Sequence, residues 1–264
     1  MPKFAANLTM MFNEAPFLER FDKAAAAGFK AVEFLFPYDY TVEQLQDALN
    51  RNKLQLVLHN LPAGNWAGGD RGIACDPERV QEYRGGIEKA IAYATALGVK
   101  QLNCLAGIKP ANVSDADARR TLVENLKYTA PKLKAAGIKL LIEAINTYDI
   151  PGFFLNGTRQ TLDIIADIGV ESASDNIFVQ YDIYHMQRME GELANTMKNH
   201  LAKIAHLQLA DNPGRNEPGT GEINYPFLFA FLDKIGYEGW IGCEYKPAAA
   251  TEAGLGWAAA YLKH

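Results

Sequence analysis

The sequence predicts an α/β fold, a single (β/α)8 TIM barrel with its active site at the C-terminal face of the strands. Three observations predict it. Short apolar, β-rich runs alternate with helical patterns from end to end, and there are eight such runs. The segment Asn7-Leu8-Thr9-Met10 after the first run lacks the Gly-rich phosphate loop that an open doubly wound sheet carries there. Residues 4–8, 31–36, 54–60, 101–105, 138–143, 177–182, 204–209 and 240–245 read as the strands.

Helical patterns occupy residues 15–27, 42–50, 77–97, 121–136, 158–168 and 225–235. Thr41 and Asp76 stand just before two of them, as side-chain acceptors for orphan N–H groups. Gly28, Gly98, Gly137, Gly169 and Gly236 stand just after others, as helix stops. Asp115 to Ala118, following Ser114, add a first turn to the fourth helix. No Pro/Ser-rich linker, low-complexity tract or charge block divides the chain, so residues 1–264 read as one domain. Longer turns, residues 61–76, 145–156 and 210–222, follow strand C-termini, where loops of this fold cover a substrate.

Composition narrows the function classes. The 264 residues are 48% hydrophobic and 22% charged, as in a globular protein, and the net charge is −5 without a basic cluster. That argues against a nucleic-acid surface, which needs phosphate-neutralising Lys and Arg, and fits a small-molecule substrate. Cys75, Cys104 and Cys243 are odd in number and lack CxxC spacing, which points to free thiols in a reducing, cytoplasmic setting. The N-terminal stretch is too short and interrupted for a signal peptide or membrane span and reads as the first strand. Monomer and homo-oligomer both remain open.

Four polar residues carry the chemistry. Glu143, Asp182, Gln208 and Glu244 each close a short apolar run, and they recur at gaps of 39, 26 and 36 residues. One strand–helix–strand unit takes about 30 residues or more, so parallel strands would bring all four to one end of the sheet. Three carboxylates that close together repel and lose solvation, and a divalent cation relieves both. An all-oxygen set favours Mg²⁺ or Mn²⁺ over a thiolate-seeking metal. A single Glu at a strand end reads equally as a helix cap or a partner for a surface Lys; the quartet does not.

His185, three residues after Asp182, reads as a substrate hydrogen-bond donor. His59 ends the third strand, and His206 lies two before Gln208 on the same face; each reads equally as a pocket or a core residue. His200 and His264 fall on or after helices. Arg71, Arg215 and Lys246 are cations in loops that follow strands. Arg215, in the turn-rich loop above Gln208, is the best placed to grip a substrate carboxylate or hydroxyl. Trp66, Phe36, Tyr38 and Phe153 either wall a pocket or pack.

Longer strings of residues carry a resemblance. They include Val32-Glu33-Phe34, Pro37-Tyr38-Asp39, His59-Asn60-Leu61-Pro62-Ala63-Gly64 and Arg71-Gly72-Ile73-Ala74. More specific are Tyr181-Asp182-Ile183-Tyr184-His185-Met186-Gln187, Gly219-Thr220-Gly221-Glu222-Ile223-Asn224-Tyr225 and Cys243-Glu244-Tyr245-Lys246-Pro247. On these the chain resembles, over essentially its whole length, the hydroxypyruvate isomerase family among the xylose-isomerase-like TIM barrels. The resemblance implies a divalent metal held by Glu143, Asp182, Gln208 and Glu244, with Glu143 and Glu244 as proton donor and acceptor. Related ketose 3-epimerases carry His where this chain has Gln208.

The expected reaction is aldose–ketose-type isomerisation of a small 2-oxo-3-hydroxy acid, hydroxypyruvate to tartronate semialdehyde, by proton transfer through an ene-diolate. Substrate contacts are expected from His185, Arg215, His59, Arg71 and Lys246. A 2-oxo-tetronate differs by one hydroxymethyl group, and the sequence does not separate the two. A ketose 3-epimerase is the next alternative. An endonuclease IV-like enzyme would need a His-rich multi-zinc cluster and a basic groove, and a non-catalytic sugar-acid binder would not need two proton-transfer glutamates.

Overall fold

In the computed structural model, residues 1–169 and 173–262 are described. His264 lies outside the described residues. Eight parallel strands close into a barrel in sequence order: β1 (Lys3–Asn7), β2 (Ala31–Glu33), β3 (Gln55–Asn60), β4 (Gln101–Cys104), β5 (Lys139–Glu143), β6 (Ile177–Asp182), β7 (Ile204–Leu209) and β8 (Trp240–Cys243). In β3 and β5 every position after the first is buried. Continuous burial is what strands covered on both faces require, and it explains the apolar stretches Leu56-Val57-Leu58 and Leu140-Leu141-Ile142 at their centres.

Helices α1 (Arg20–Ala26), α2 (Val42–Asn52), α3 (Val80–Gly85), α4 (Ile87–Ala96), α5 (Asp115–Ala135), α6 (Thr158–Ile168), α7 (Ile183–Met189), α8 (Leu193–Asn199) and α9 (Tyr225–Ile235) lie between the strands. Their ends follow the expected chemistry. Thr41 closes a capping box with Gln44, and Ser114 accepts from the Asp117 N–H. Gly236, in the left-handed region at φ 79°, ends α9.

Three expectations need correction, and one segment after β8 was not foreseen. The segment 15–27 starts as a 3₁₀ turn, Phe17–Glu19, before α1. The segment 77–97 is a 3₁₀ turn, Pro77–Arg79, followed by α3 and α4, which break at the Gly85-Gly86 pair where backbone freedom is greatest. β2 stops at Glu33, because its register against β3 shifts between Val32 and Glu33. After β8 the chain forms a 3₁₀ segment, Thr251–Ala258, whose Gly254 and Gly256 weaken an α-helix. Two seven-residue helices, α7 and α8, were not expected at all.

Backbone contacts gather into two parts, Met1–Leu58 with Tyr181–His264, and His59–Gln180. No helix among the described residues is long and apolar enough to cross a membrane.

Candidate active site

β6 runs into α7 without a loop, and Asp182 at the junction caps the helix. Its Oδ1 accepts from the Tyr184 N–H at 2.8 Å and the His185 N–H at 3.4 Å. Its Oδ2 is buried and has no hydrogen-bond partner. His185 Nε2 lies 3.5 Å from that oxygen and Arg215 Nη2 4.0 Å. A buried carboxylate oxygen without a donor is costly unless a cation meets it.

Glu143 closes β5. Its Oε2 accepts from Asn103 Nδ2 on β4 at 2.9 Å and from Gln180 Nε2 on β6 at 2.8 Å. Two neutral amides therefore orient this carboxylate without neutralising it.

Glu244 lies one residue past β8, and its Oε2 accepts from Arg215 Nη2 at 2.9 Å. Burial pushes the Glu244 carboxyl up to about 8; the Arg215 guanidinium opposes the rise, and the charges of Asp182 and Glu33 add to it.

Arg215 is placed by its loop. It sits at φ 55°, a left-handed conformation unusual for a non-glycine residue. Its N–H donates to Asp211 O at 2.9 Å, and its carbonyl accepts from the Lys246 N–H at 2.8 Å. The guanidinium carbon lies 5.1 Å from the centre of the Tyr184 ring. The buried Asp211 carboxylate holds the loop by accepting backbone N–H bonds from Asn212, Gly219, Gly221 and Ile223 at 2.8–3.0 Å.

Glu143, Asp182, His185 and Glu244, all buried, each offer one ligand atom, and these atoms lie within 4.8 Å of one another. Such a cluster can bind a metal ion, and an Asp182 Oδ2 that accepts no hydrogen bond and three crowded carboxylates fit one. Three of the four expected ligands are thus brought together. His185, expected to serve the substrate, brings a ring nitrogen into the same cluster. Gln208 is buried at the end of β7, with its Nε2 on Glu33 Oε1 at 2.8 Å.

The remaining expected contacts divide. His59 is fully buried, with Nδ1 donating to the Asn60 carbonyl at 3.0 Å, and burial lowers its pKa to about 4, so the ring is neutral. Arg71 folds back on its own loop, donating to the Trp66 and Asp70 carbonyls, with its guanidinium carbon 4.4 Å from the centre of the Trp66 ring. Lys246 has an exposed side chain and ties the Arg215 loop through its backbone. His206 faces Glu33 Oε2 at 2.6 Å, and Phe153 is buried. Sequence reasoning gave no site role to Asn103, Gln180, Asp211 or Glu33. A polar residue inside a buried strand run was the available signal for Glu33, Asn103 and Gln180.

Residues 21–261 match the family described as the xylose isomerase-like TIM barrel. The hydroxypyruvate isomerase of Escherichia coli (strain K12) is 58% identical over 97% of this chain and 98% of its own. The chain belongs to the hydroxypyruvate isomerase family. The family relatives are enzymes, and they support isomerase activity for this member. The 2-oxo-tetronate isomerase of Cupriavidus necator is 47% identical over 99% of both chains. Among solved structures, an AP endonuclease, family 2, from Brucella melitensis matches with a TM-score of 0.95 and 43% identity, covering 99% of each chain.

Proposed function

We propose that this isomerase interconverts hydroxypyruvate and tartronate semialdehyde. The observation that carries the reading is the buried cluster in which Glu143 and Glu244 share one small space with Asp182. Glu143, Asp182 and Glu244, with Gln208 as a fourth donor, would hold Mn²⁺ or Mg²⁺, which polarises the substrate carbonyl and acidifies the neighbouring C–H bond.

The protein's own groups supply the proton path. One glutamate takes a proton from C3 and the other delivers a proton to C2, while the O3 hydroxyl proton passes to O2. The carbonyl thereby shifts from C2 to C3, a ketone becoming an aldehyde, through an ene-diolate. Each general acid–base step of this kind contributes about 10²–10⁴-fold. Arg215, fixed at its left-handed position, grips the substrate carboxylate, and His185 donates to a substrate oxygen. His59, Arg71 and Lys246 stay as more distant members of the substrate shell.

The three described cysteines are free and buried, which supports a reducing, cytoplasmic setting. The net charge of −5 supports a small acid substrate over DNA, although the structural relative from Brucella carries an endonuclease name. The 47% identity to a 2-oxo-tetronate isomerase favours a second reading, with a pocket roomier by one hydroxymethyl group.

The test compares kcat/KM for hydroxypyruvate and a 2-oxo-tetronate, with and without chelator. Preference for hydroxypyruvate, loss with EDTA and return with Mn²⁺ are expected. Preference for the tetronate selects the second reading, and full activity in EDTA overturns the metal assignment.

A further inference from the structure

Glu33 is 1% exposed and belongs to none of the roles described so far. Its carboxylate collects donors from two other strands. Asn7 Nδ2 on β1 donates to Oε1 at 2.9 Å, Gln208 Nε2 on β7 to Oε1 at 2.8 Å, and His206 Nε2 on β7 faces Oε2 at 2.6 Å. Reaching β7 from β2 means passing β1 and β8, and the chain makes room for this. Gly242 of β8 is paired with Ala5 on one side and Gln208 on the other, and a Cβ there would overlap both Glu33 carboxylate oxygens. The β2 register also shifts between Val32 and Glu33, an irregularity of the kind that re-aims a side chain.

The chemistry of the pair decides how Gln208 is turned. A carboxylate only accepts, whereas an amide has a donating nitrogen and an accepting oxygen on the same carbon. With Nε2 committed to Glu33, the Gln208 carbonyl oxygen must face away from it. An amide turned the other way would offer N–H groups to a cation and repel it.

We propose that Glu33 is a positioning residue: it holds the Gln208 amide so that its oxygen, not its nitrogen, is presented to the cation of the Glu143–Asp182–Glu244 cluster. This rests on Gln208 being a metal donor, as in the proposed function. Outer-shell partners of metal ligands typically contribute about 10–100-fold to affinity.

The experiment is calorimetric titration of the metal-stripped protein with Mn²⁺, for the wild type, Glu33→Met, Gln208→Ala and the double variant, each checked by thermal melting. Met keeps the length of the side chain but removes the oxygen that accepts from Gln208 Nε2. Glu33→Met and Gln208→Ala should each weaken Mn²⁺ binding about tenfold or more, and the double variant should be no weaker than Gln208→Ala. A general loosening of the barrel would instead multiply the two losses, and that result overturns the proposal. Wild-type affinity in Glu33→Met with weakened binding in Gln208→Ala overturns the role of Glu33 alone. Wild-type affinity in Gln208→Ala removes Gln208 from the metal site and takes this inference with it. Gly242→Ala, which keeps the Glu33 charge but displaces its carboxylate, should reproduce the Glu33→Met loss; it serves as the deciding arm if Glu33→Met does not fold.

Discussion

His59, one residue before the end of β3, was expected to face a ligand as readily as the core, and the fold has buried it completely. Burial lowers its pKa from 6.5 to about 4, with the Asn60 carbonyl opposing the shift. The unfolded chain therefore binds a proton between those values that the folded protein refuses. The resulting stability is fully present above pH 6.5 and is lost as the pH falls towards 4. At about 1.4 kcal/mol per pH unit, acidification from pH 7 to 4 should remove about 3 kcal/mol through this residue. Urea unfolding at the two pH values checks it: the loss in the wild type should exceed that in His59→Asn by about this amount. Equal losses would show that His59 is protonated in the folded state. At this scale Glu143 and Asp182 were legible because each closes a short, mostly apolar run. Glu33 was not, because its partners His206 and Gln208 lie 173 and 175 residues away and its re-aiming depends on a register shift that no local pattern shows.

The elements were legible where caps and periodicity agreed, as in α2, α5 and α9. α7 was missed because it begins directly after β6 and runs for seven residues, too few for a helical period to show. Its start is set by Asp182, whose Oδ1 caps the helix while Oδ2, which accepts no hydrogen bond, is the oxygen the proposed cation would meet. Asp182→Asn should keep the cap, since Asn caps as well as Asp, and lose Mn²⁺ binding. Asp182→Ala should lose both and be about 1 kcal/mol less stable than Asp182→Asn in the metal-free state. Chemical denaturation and Mn²⁺ titration of the pair test this. Equal stabilities would remove the capping role, and retained binding in Asp182→Asn would remove the cation from Oδ2.

For the molecule as a whole, the barrel was readable because eight apolar runs and their helices follow one repeating order, and the structure closes them in that order. The convergence of the cluster follows from the closure and not from any one segment, so the sequence could name Glu143, Asp182 and Glu244 but not the entry of His185 among them. A cation that binds only the folded arrangement must stabilise it. Mn²⁺ at a hundredfold excess over its Kd should add about 2.7 kcal/mol to unfolding, seen as a rise in Tm that EDTA reverses. No rise with Mn²⁺ or Mg²⁺ would set the metal aside.

The central claim is that Glu143 and Glu244 carry the proton. Turnover of hydroxypyruvate by Glu143→Gln and Glu244→Gln tests it most directly, because Gln preserves shape and can still accept from Asn103, Gln180 or Arg215. Each variant, folded and supplied with Mn²⁺, should lose about 10²–10⁴-fold in kcat. Near-normal turnover in both would contradict the account.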